Sequence, residues 1–140
     1  MEKIKPSHRR KARFLALQAV YQWQLTGDSV VDIRNQFGEK ITTKKVDLAY
    51  FYALLEGVIT QVATIDQLFI PLLDRKIGDL DMVEVAVLRL AVYELRYRTE
   101  IPHGVVINEA LELTKIFGSG EGYKYVNGVL DAVVKNLSSH

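Results

Sequence analysis

The chain has no cysteine, only three prolines and a single tryptophan in 140 residues. The missing cysteines exclude a disulfide scaffold, a thiolate zinc site and a cysteine nucleophile, and they fit a reducing compartment, so a cytoplasmic protein is expected. Histidine is scarce as well. His8, His103 and His140 stand far apart, none with a ligand partner at helical spacing, so no metal is expected. Long apolar runs are absent: Gln18, Gln22 and Gln24 interrupt the stretch 14–25, which is too short and too polar for a membrane span or a signal-peptide core. Low-complexity tracts and internal repeats are also missing. What remains, 49% hydrophobic and 25% charged, is the balance of an ordinary globular chain long enough to bury a real core. A single domain over 1–140 is expected.

The net charge of +1 hides an asymmetry. Lys3, Lys5, Arg9, Arg10, Lys11 and Arg13 are six of the eighteen cations and fall within the first thirteen residues, against Glu2 alone. That arm carries +5, so the other 127 residues sum to −4. A basic arm on a mildly acidic body points to an anionic partner, nucleic acid before a membrane surface. The plainer reading is a solvated terminus charged for solubility.

Helical periodicity dominates the chain and no strand pattern stands out. A first helix is predicted over 7–25, with Phe14, Leu17, Tyr21 and Leu25 as its inward stripe and Lys11, Gln18 and Gln22 on another face. A short second helix covers 29–37, closed by Gly38. Thr42 or Thr43 caps a third over 44–62, with Leu48, Phe51, Leu55, Val58 and Val62 inward. Gly57 inside it costs about 1 kcal/mol against alanine, so it marks a close helix crossing or a break. A shorter helical stretch over 65–73 is interrupted by Pro71, and a turn follows at Gly78. Asp81 and Glu84 have capping-box spacing ahead of a helix over 83–95 that is apolar on nearly every face and therefore central. Glu84, Arg89 and Glu94 are its exceptions.

Pro102 restarts the chain into a helix over 103–117, with Val106, Ala110, Leu113 and Phe117 inward, and "GSGEG" breaks it. A last helix covers 121–137, with Val126, Leu130, Val133 and Leu137 inward. The fold class is all-α, with about seven helices. The connections at 40–45 and 76–81 suggest two packed sub-bundles, roughly 1–78 and 79–140.

Catalytic chemistry leaves little trace. Glu109 and Glu112 share a helix face and could act as an acid/base pair, but acidic residues in first turns ordinarily complement the helix dipole. "GSGEGYK" (118–124) joins helix to helix with no preceding strand, so it is not a Walker loop. Its plain role is a helix stop and turn. Tyr123, Lys124 and Tyr125 behind it nevertheless combine stackable rings with a cation, which suits single-stranded nucleic acid. No enzyme is expected.

Four blocks carry a resemblance: "ALQAVYQWQL" (16–25), "EVAVLRLAVYEL" (84–95), "INEALELTKIFG" (107–118) and "KYVNGVLD" (124–131). In order and spacing they resemble the NusB family of bacterial transcription antitermination factors, across nearly the whole chain. The resemblance implies an all-helical protein with an arginine-rich first helix, no cofactor and no catalysed reaction. It implies pairing with NusE, a small-subunit ribosomal protein, and binding of single-stranded boxA RNA in nascent transcripts. The complex would act with RNA polymerase and other Nus factors against termination, notably on ribosomal RNA operons.

By resemblance, the arginine-rich motif falls on Arg9, Arg10, Lys11 and Arg13, and the RNA-facing lysine-aromatic pair on Lys124 and Tyr125, with Glu121 nearby. Glu84 and Arg89 are the NusE-facing candidates. The family pattern is diluted by His8 and Lys11, since lysine cannot make arginine's bidentate phosphate contact. A homodimer is left open. The rival readings are the RNA-binding module of a ribosomal RNA cytosine methyltransferase, which would need strand-helix alternation that this chain lacks, and a protein-only adaptor.

Overall fold

A computed structural model of the chain describes residues 5–41 and 45–139. Among the described residues there are seven α-helices, two short 3-10 turns and no strand. Helix α1 spans Pro6–Thr26 and ends at Gly27, whose φ of 69° takes the left-handed cap and sends its N–H to the Trp23 carbonyl. In α2, Val30–Lys40, the Ser29 side chain accepts the Asp32 N–H. This helix runs through Gly38 rather than stopping there. A Cβ at Gly38 would stand 3.2 Å from the Tyr52 hydroxyl, so the glycine makes room for a neighbouring helix.

Helix α3, Leu48–Thr60, is capped by Asp47, which accepts the Tyr50 N–H. The cap expected at Thr42 or Thr43 lies outside the described residues. The predicted single helix over 44–62 is in fact two, because α4, Val62–Phe69, starts after a break at Gln61 and leaves α3 at 77°. Pro71 then sits in the 3-10 turn Ile70–Leu72, and a second such turn covers Ile77–Asp79. Helices α5 (Met82–Tyr97), α6 (His103–Phe117) and α7 (Gly122–Ser138) complete the chain. No single helix among the described residues is long and apolar enough to cross a membrane.

Helix α5 is the axis. It packs against α1, α3, α4, α6 and α7, which explains an apolar pattern that favours no one face. Val85 to Leu88, Leu90 to Val92 and Leu95 are all buried. Gly57 lies where α3 crosses α5, and any side chain there would run into the Tyr93 ring. It is therefore a crossing and not a break.

The inward face of α1 differs from the predicted stripe. Leu17 is buried, but Phe14, Tyr21 and Leu25 are 37%, 36% and 57% exposed. The buried face is built from Ala12, Ala16, Ala19 and Val20, together with Arg13. Small residues let α1 lie close on α3 and α5, and that pushes the large side chains to the rim.

Candidate nucleic-acid interface

The first turns of α1 project four cations into different surroundings. Lys11 is exposed. Arg10 reaches across to α6, where its Nε and Nη2 donate to the Glu109 carboxylate at 3.1 to 3.3 Å. That hydrogen bond, with the charge behind it, raises the Arg10 pKa. Arg9 donates to Asp47 at 3.5 Å and lies 4.4 Å from the centre of the Tyr50 ring. These three remain at or near the surface and can turn toward an anion.

Arg13, also expected at the phosphates, does not share that freedom. It is buried beside α5 and donates bidentately to Glu94 at 2.9 to 3.1 Å. Burial works against its charge, and the Glu94 carboxylate outweighs that, so the net shift of its pKa is upward. The Tyr50 hydroxyl donates to the same carboxylate at 2.5 Å. Burial and the adjacent Glu94 charge push the Tyr50 phenol well above its ordinary range. Arg98 completes the node, 4.8 Å from the Tyr50 ring centre. Arg13 thus fixes the basic helix to the core.

A second cluster forms where α7 begins. Lys124 pairs with Glu121 at 3.0 Å, both exposed. The Tyr125 hydroxyl donates to Asp74 at 3.0 Å, and the Arg75 guanidinium lies 4.2 Å from the Tyr125 ring centre. Lys115 of α6 stands 5.0 Å from the Tyr123 ring. Helix α6 links the two clusters: Glu109 holds Arg10 at its middle, and Phe117 at its end packs at a tilt against Phe14 with ring centres 4.8 Å apart.

The acidic pair Glu109 and Glu112 is thus divided, one toward Arg10 and the other toward Lys115 at 3.7 Å. Asp74 and Arg75 were not anticipated from the sequence. They sit in an irregular segment after Pro71, with no periodicity to mark them.

The two partner candidates on α5 have separate fates. Arg89 is held inside the fold, bidentate to Asp66 at 3.0 Å and bonded to Gln24 at 3.1 Å. Asp81 caps α5 by accepting the Val83 N–H at 2.7 Å, but Glu84 does not close a capping box. The Glu84 carboxylate lies against Gly122 at the start of α7, where a larger residue would collide with it. Partial burial and Asp81 raise the Glu84 pKa, and Arg75 moderates the rise. Among the described residues no cluster of histidine and acidic side chains could hold a metal ion.

Comparison with known proteins agrees with this architecture. The NusB family model matches residues 10–135. Transcription antitermination protein NusB of Tolumonas auensis is 55% identical over 134 residues, covering 96% of this chain and 97% of the relative. A crystal structure of antitermination factors NusB and NusE in complex with dsRNA superposes with a TM-score of 0.86 at 28% identity, covering 94% of this chain and 99% of that one. NusB of T. maritima gives a TM-score of 0.80 at 31% identity, covering 95% and 93%.

Proposed function

Because the chain belongs to the NusB family, we propose that it is a transcription antitermination factor that pairs with NusE and binds boxA RNA in nascent transcripts. Its targets would be ribosomal RNA operons above all, in the cytoplasm, within a complex of RNA polymerase and other Nus factors. Residues 1–140 act as one RNA-binding domain in this reading. The observation that carries it is the fit of nearly the whole chain to one chain of a solved complex of NusB and NusE with dsRNA.

The geometry supports a division of labour. Arg9, Arg10 and Lys11 offer phosphate contacts, which position RNA without reading it. Lys124 and Tyr125 add a cation and a ring beside Glu121, where unpaired bases can be stacked. Arg13 positions the helix from within. Glu84 remains the accessible candidate toward NusE, whereas Arg89 would reach a partner only by giving up Asp66.

Fluorescence anisotropy of a labelled boxA-type RNA, with and without NusE and beside a scrambled RNA, tests the reading. Binding should be tighter and sequence-dependent with NusE. If about four to six phosphates are neutralised, log affinity should fall against log salt with a slope of about −3 to −4. Equal weak binding to both RNAs, unchanged by NusE, would overturn it. RNA affinity left intact by charge reversal at Arg9 and Arg10 would favour a protein-only adaptor.

A further inference from the structure

Beside the start of α7 lies a shallow groove of about 260 Å³, lined by Leu72, Asp74, Lys124, Tyr125, Gly128 and Val129. Its lining is sorted by chemistry. Leu72 and Val129 supply an apolar floor, and Gly128 leaves open space where a Cβ would stand. Lys124 stands at the rim on an exposed pair. Tyr125 is held in place by its hydroxyl bond to Asp74 and by the Arg75 guanidinium against its ring. The Asp74 carboxylate is 69% exposed, so it can accept further hydrogen bonds. Hydrogen bonds from Arg75 and Tyr125 lower its pKa and keep it an acceptor.

We propose that this groove takes one unstacked base of the bound RNA and that Asp74 discriminates against uracil there. The proposal rests on the RNA-binding reading above and adds a base-reading subsite to it. Single-stranded RNA is recognised by splaying bases onto aromatic rings and reading their hydrogen-bonding edges. A groove smaller than the ~300–1,000 Å³ of ordinary ligand sites suits one planar base, and Lys124 is placed to meet its phosphate. An ionised carboxylate accepts well from the amino groups of cytosine, adenine or guanine. Uracil offers a single N–H between two carbonyl oxygens, which the carboxylate repels.

The test is anisotropy with NusE present, on boxA-type RNA and on a series carrying one abasic site each. For the wild type, one abasic position should cost about tenfold or more, the scale of a single stacked base. Gly128→Leu fills the groove from an open helix face. It should weaken binding to the intact RNA by that same factor and become insensitive to that one abasic site. Uracil placed at that position should cost the wild type about fivefold or more. Asp74→Asn should remove that penalty.

Identical responses of wild type and Gly128→Leu at every position would overturn the groove, as would discrimination that survives in Asp74→Asn. Either result leaves the RNA-binding reading standing. A wild type that binds no RNA at all, with or without NusE, overturns both.

Discussion

Arg10 and Arg13 lie three residues apart on α1, and each grips a carboxylate with two nitrogens. The Arg10 side chain is 70% exposed and its partner Glu109 14%, whereas Arg13 and Glu94 are 6% and 3% exposed. Similar geometry therefore has two meanings. In water an ion pair gains little, because solvent screens both charges and serves them nearly as well. Out of water neither charge can be left alone, since removing one strands the other without compensation. Arg13 is locked by that asymmetry, and Arg10 is free to exchange its carboxylate for another anion, including a phosphate.

The buried side of the comparison breaks most violently. Glu94→Ala leaves the Arg13 charge and the Tyr50 hydroxyl without their acceptor. We expect a loss of about 3–5 kcal/mol in urea unfolding, a large part of the ~5–15 kcal/mol that holds a typical domain. Combining it with Arg13→Met should recover much of that loss, because no buried charge then remains. A double variant as unstable as the single one would show that the pair itself, and not the stranded charge, carries the stability.

The exposed side should break in function instead. Arg10→Ala should change stability by no more than about 1 kcal/mol. It should weaken RNA binding and make the salt slope shallower by about 0.7, the share of one phosphate on a single strand. An unchanged slope would remove Arg10 from the interface.

The same comparison shows what the sequence could and could not reveal. Helix α6 was legible to its ends because Pro102 and Gly118 punctuate it, and the central place of α5 was legible because it is apolar all round. The inward face of α1 was not legible. Large apolar residues recur at helical spacing there, yet close packing selects Ala12, Ala16 and Ala19 and leaves Phe14, Tyr21 and Leu25 at the rim. The basic burst was visible as a group, but its division was not, because the partner of Arg13 lies 81 residues away on α5. Glu94 had at least announced itself as a charge in an apolar helix. Asp74 and Arg75 gave no such signal, since a loop has no period against which a residue can stand out.

Glu109→Gln sharpens the comparison in the opposite direction. It removes the anion that occupies Arg10 in the free chain and keeps the shape of the side chain. RNA then no longer competes with an internal carboxylate, and affinity should rise by roughly two- to fivefold, the scale of an exposed ion pair. A fall in affinity would mean that Glu109 orients Arg10 for RNA and does not restrain it.

The smallest effect is expected at Glu84, a carboxylate with no salt bridge among the described residues. Partial burial raises its folded pKa above the unfolded value, so the folded chain holds that proton more tightly than the unfolded chain does. The cost of its charge is fully present above the folded pKa. It fades as pH falls and is gone below the unfolded value near ~4.3. Glu84→Gln should therefore melt slightly higher than the wild type at neutral pH, with the gap closing toward pH ~4. The opposite sign, a variant less stable at neutral pH, would mean that the attraction of Arg75 outweighs the desolvation, and Glu84 would then belong with Glu109 among the paired carboxylates.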